Sequence, residues 1–86
     1  MVREEYEALV SEVSKSENVS IQVVKLALSE IALERYDKEP RELAYHSFTN
    51  IYPQEQVNQV KRYLTFYLDS IKFQGKYPAL YKLLHD

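Results

Sequence analysis

Between Ser20 and Tyr36 the chain reads SIQVVKLALSEIALERY, a stretch that is apolar round more of its circumference than a helix lying on a surface needs. At about 100° per residue, Ile21, Val23, Val24, Ala27, Leu28, Ile31 and Tyr36 fill one continuous arc, the core-facing side of an amphipathic helix. Leu26 and Leu33 lie outside that arc, seven residues apart among Gln22, Ser29 and Glu30, and make a second, narrow stripe. Either other helices cover this helix on both sides, or the second stripe meets another molecule. The pattern therefore predicts a central helix with the remaining elements arranged round it.

Those elements follow the same periodicity. Val2, Tyr6, Leu9, Val10 and Val13 share one face of a first helix, with Glu4, Glu5, Glu7 and Glu12 mostly off it as a solvated face. Acids in its first turn suit the positive end of the helix dipole, and the polar run from Ser14 to Asn18 ends it. Ser20 is the expected N-cap of the central helix, with Asn18 and Ser16 as rivals, and the helix stops near Asp37 because Pro40 disfavours helical backbone at Glu39. Pro40, Pro53 and Pro78 each precede an amphipathic run, where a missing N–H costs little. They predict helices over 40–52, with Leu43, Ala44, Ser47, Phe48 and Ile51 inward; over 53–73; and over 78–85, with Leu80, Leu83 and Leu84 apolar. In the 53–73 helix Val57, Val60, Tyr63, Leu64, Tyr67, Leu68 and Ile71 occupy one arc, and Gly75 is the expected left-handed residue that ends it. Phe66 and Phe73 stand on its far side, again seven apart, with the short last helix as their obvious cover.

The expected fold is therefore all-α: a compact four-helix bundle with a short fifth C-terminal helix, in a single domain spanning 1–86. With 86 residues the core is adequate without being generous. A content of 45% hydrophobic and 28% charged residues separates the chain from disordered ones. Eight tyrosines with no tryptophan suit half-buried positions, where an apolar ring carries a polar tip. No cysteine is present, so disulfides and thiolate metal sites are excluded and a reducing cytoplasm fits. The acidic N-terminus has no apolar signal region, and no apolar run approaches the roughly 20 residues of a membrane span. The expected location is cytoplasmic, with any membrane contact peripheral.

The single glycine excludes the P-loop and dinucleotide-binding fingerprints, which need several. His46 and His85 are far apart, without a carboxylate or second histidine at ligand spacing, so neither predicts a metal site. Ser47 and Thr49 beside His46 make no catalytic triad, because neighbouring helix side chains diverge. No cofactor, small-molecule substrate or enzymatic role is expected. The net charge of −2 gives no field for nucleic acid, although it is unevenly spread. Residues 1–39 carry five cations against nine acids, whereas 54–86 carry five cations against three acids.

The signal left is a cationic, aromatic C-terminal third. Lys61, Arg62 and Lys72 share the outer face of the 53–73 helix with Phe66 and Phe73, and Tyr77 and Tyr81 follow. Such a surface suits anionic lipid, phosphates with stacked bases, or an acidic protein. A helix-turn-helix is discounted, since RELAYHSFTNIY balances one arginine with one glutamate and lacks the charge that binds phosphates.

The first helix with Tyr6, Leu9 and Val10, the run VVKLALSEIALER, and the closing YLTFYLDSIKFQGKYPALYKLL with Tyr77, Pro78, Leu80 and Leu84 give an order of parts that resembles the cytoplasmic immunity proteins of class IIa bacteriocin producers, the enterocin A immunity type. The resemblance implies an antiparallel four-helix bundle. It also implies protection of the producing cell by recognition of a bacteriocin-bound membrane receptor through the C-terminal part. The chain departs from the family in being acidic and in its Tyr52-Pro53 pair. The expectation is a non-enzymatic protein-binding module, with Leu26, Leu33, Lys61, Arg62, Phe66, Lys72, Phe73, Tyr77 and Tyr81 as candidate partner residues. The rival is an oligomeric regulatory or phage-type protein that self-associates through Leu26 and Leu33, or through Phe66 and Phe73.

Overall fold

A computed structural model describes residues 2–38 and 53–86, and they form five α-helices and no strand. The helix expected over 40–52, and with it His46, lies outside the described residues.

Helix α1 (Val2–Glu17) places Glu4 and Glu5 in its first turn and Lys15 in its last, as the helix dipole favours. Asn18 then takes a left-handed conformation, φ 55°, while the Val19 N–H donates to the Ser14 carbonyl at 3.2 Å and the Ser14 hydroxyl to the Val19 carbonyl at 2.6 Å. Asparagine tolerates that conformation better than most residues, so a short turn suffices. Ser20 caps α2 (Ile21–Tyr36) as expected, its hydroxyl accepting from the Val23 N–H at 3.2 Å. The helix stops at Asp37, also left-handed with φ 55°, whose N–H returns to the Ala32 carbonyl.

Helix α2 is the centre of the molecule. It touches α1 and the two longer helices that follow, α3 (Gln54–Tyr67) and α5 (Pro78–His85). Val23, Val24, Ala27, Leu28, Ile31 and Ala32 are buried, and buried Ser29 satisfies its hydroxyl on the Lys25 carbonyl at 2.9 Å. Contact with three helices explains why its apolar residues are spread so widely. The same core takes Tyr6, Leu9, Val10 and Val13 from α1, Val57, Val60, Leu64 and Tyr67 from α3, and Leu80 and Leu84 from α5. Each fully buried Val or Leu contributes about 1.5–3 kcal/mol relative to exposure, which is the main term holding so small a domain together.

The 53–73 stretch is not one helix. Pro53 starts α3 as expected, its carbonyl accepting from the Gln56 and Val57 N–H groups at 3.1 and 3.2 Å. After Tyr67, however, Ser70 turns to extended backbone, φ −83° and ψ 154°, and caps a new helix, α4 (Ile71–Lys76), by accepting from the Phe73 N–H at 3.1 Å. The Ser70 hydroxyl and N–H both donate back to the Tyr67 carbonyl, at 2.6 and 3.0 Å, closing the turn. Gly75 lies inside α4 without a positive φ, so the expected left-handed cap is corrected: Tyr77, φ −130°, followed by Pro78, ends α4. Pro78 opens α5 as expected.

Candidate functional site

The break at Ser70 re-sorts the apolar residues of this region. A helix continuing through it would keep Ile71 on the inward arc and Phe73 on the outer one; restarting the helix reverses both. Phe73 is fully buried, its ring centroid 5.4 Å from that of Tyr67 and 5.5 Å from that of Tyr77. Ile71 is 86% exposed, and Phe66, on the last turn of α3, is 80% exposed. The last helix thus covers one of the two phenylalanines and leaves the other bare. Two large apolar side chains therefore flank the three-residue turn 68–70, separated by no more than about 18 Å of chain.

The charges round this corner are unequal in freedom. Asp69 is committed: its carboxylate accepts from the Tyr36 hydroxyl at 2.6 Å, pairs with Arg35 at 3.5 Å and lies 3.4 Å from His85 Nε2. Burial and the Asp69 carboxylate together push the Tyr36 phenol up. Arg62, one turn before Phe66 on the same face of α3, and Lys72, beside Ile71, are exposed and make no ion pair among the described residues. The free charge at the corner is positive.

Lys61 does not belong to that surface. Its ammonium is held by Glu34 at 2.8 Å and Glu30 at 3.1 Å, ties that hold its pKa above the ordinary lysine value despite some desolvation. It lines an open groove of about 390 Å³ between α2 and α3 with Ile31, Glu34, Arg35 and Arg62. There the charge of Lys61 is matched by Glu30 and Glu34, while Arg62 makes no ion pair among the described residues.

Other candidates are corrected by burial. Phe73 and Tyr77 are core residues and present nothing to a partner, so a subunit interface through Phe66 and Phe73 together is not available in this fold. Leu26 is partly buried against the core, whereas Leu33 is 49% exposed, so the second stripe of α2 is bare at one leucine. Tyr81 is half-buried, stacked on His85 with ring centroids 4.1 Å apart.

Two acids of α1 expected on a solvated face have internal work. Glu12 accepts hydrogen bonds from the Tyr77 hydroxyl at 2.5 Å and the Tyr67 hydroxyl at 2.9 Å, and pairs with Lys76 at 2.8 Å. Burial by itself raises the Glu12 carboxyl, but Lys76, Tyr77 and Tyr67 outweigh it and hold it below its ordinary value of 4.5. Burial first, then the Glu12 carboxylate, pushes both phenols up. Glu5 accepts from the Leu80 N–H at 2.9 Å and so caps α5, for which Tyr77 supplies no side-chain cap.

Ile71 is the surface residue that sequence reasoning missed. The signal was Ser70 after Asp69, an N-cap pair inside what otherwise scanned as one unbroken arc. Among the described residues no group of three His, Asp or Glu side chains could hold a metal ion, and no helix is long and apolar enough to cross a membrane. No family model, curated protein or solved structure matches the chain.

Proposed function

We propose that the protein is a non-catalytic binding module that meets its partner through the α3–α4 corner. One observation carries this: Phe66 and Ile71 are 80% and 86% exposed beside Arg62 and Lys72, which make no ion pair among the described residues, whereas every other described Phe or Tyr ring is at least partly buried. Singly exposed apolar residues are ordinary, so the proposal rests on two of them standing five positions apart across one turn, with exposed cations beside both. Glu5, Glu12, Glu30, Glu34 and Asp69 are all taken up in ties between helices, which supports a role without chemistry. A contact surface in the C-terminal third also agrees with what the resemblance to the enterocin A immunity type implies, and protection against a bacteriocin is the biological form of this proposal.

The test compares the intact chain with the F66S/I71S variant, both first shown to be equally helical. Bacteriocin-sensitive cells producing the intact chain should survive a class IIa bacteriocin, and cells producing the variant should not. Equal survival of the two overturns the corner as the contact surface; no protection by either overturns the immunity form. The half-exposed Leu33 favours one other reading, self-association through α2, which predicts a dimer by light scattering. A strict monomer at tens of micromolar removes it.

A further inference from the structure

Resting on the corner as the contact surface, we infer that what it meets is the anionic surface of a lipid bilayer. Three observations select this partner. Phe66 and Ile71 stand out singly on either side of a turn, and the groove nearby is lined largely by charged side chains, with Lys61 tied to Glu34 and Arg62 unpaired among the described residues. A protein interface needs a packed apolar centre with pockets for its anchors, whereas the fluid headgroup boundary accepts separate protruding side chains.

The charge is complementary. Arg62 and Lys72 flank the two apolar residues and make no ion pair among the described residues, and the one acid of the turn, Asp69, though exposed, is tied to Arg35, Tyr36 and His85. An approaching anionic surface therefore meets two cations and no free carboxylate of the turn itself. The acids crowd the other end of the sequence: nine of the thirteen lie in residues 1–39. Three of these, Glu30, Glu34 and Glu12, are themselves paired with Lys61 and Lys76, so among the described residues the unpaired charge at the α3–α4 corner is that of Arg62 and Lys72. The contact is peripheral, since no described helix is long and apolar enough to cross.

Co-sedimentation of the intact chain with large vesicles tests this, using phosphatidylglycerol mixed into phosphatidylcholine against phosphatidylcholine alone. Binding to the anionic vesicles is expected, weaker by about tenfold on the neutral ones and again when salt is raised enough to screen two cations. R62Q/K72Q should lose about tenfold on anionic vesicles. F66S/I71S should lose at least as much, and neither variant should change helicity, because all four side chains are exposed. Equal binding to both vesicle types, or variants that bind like the parent, overturns the lipid inference. So does no binding to either; in that case the corner still stands as a contact surface for an acidic protein if F66S/I71S fails to protect cells that the intact chain protects.

Discussion

Glu12 sits on α1 with the polar spacing of a solvated glutamate, yet it receives two phenol hydroxyls and a lysine from parts of the chain 55 to 65 residues away. No local pattern announces such a tie, because its partners are brought together only by the fold; Glu5, which caps α5 from 75 residues away, is equally silent. The depressed Glu12 pKa has a definite sign. The folded state holds the carboxylate more tightly than the unfolded chain does, so this contribution is present above the ordinary value of 4.5 and is lost as pH falls through the folded value. Glu12→Gln is expected to lower stability by about 1.5–3 kcal/mol at pH 7, since two phenols and an ammonium lose a charged acceptor. Chemical denaturation repeated from pH 7 to pH 3 should show that deficit shrinking below about pH 4.5. A deficit independent of pH would mean that the charge of Glu12 does nothing.

Among the elements, α4 decides the surface. Six residues cannot hold a helix alone, and it persists because Ser70 caps it and Phe73 is buried among the rings of Tyr67, Tyr77 and Tyr81. The caps at Ser20 and the start at Pro78 were legible in the sequence because each coincides with a change in apolar pattern. Ser70 gives the same local signal, but the apolar arc from Val57 to Ile71 runs straight through it and hides the break. Gly75 misleads for a related reason: a single helix over 53–73 puts it just past a terminus, whereas the helix has ended at Tyr67 and restarted at Ile71. In α4 a Cβ at Gly75 would meet nothing within 4 Å, and its φ is not positive. Gly75→Ala is therefore expected to stabilise the protein by about 0.5–1 kcal/mol, read as a raised denaturation midpoint. A loss of stability would restore the left-handed cap and with it the single long helix.

For the whole molecule, the central position of α2 was legible from its excess of apolar residues, and α1, α3 and α5 cover it. What periodicity could not give was which surplus apolar residues are covered, since that depends on a change of direction at one serine. The functional reading depends on the same point: it holds only if Phe66 is a surface residue while Phe73, seven positions on, is core. Equilibrium unfolding of Phe66→Ser and Phe73→Ser, side by side with the parent, measures this directly. The expected result is a change within about 0.5 kcal/mol for Phe66→Ser and a loss of about 4 kcal/mol for Phe73→Ser. Large losses in both would put both rings under cover and leave the corner without the bare surface on which its binding role rests.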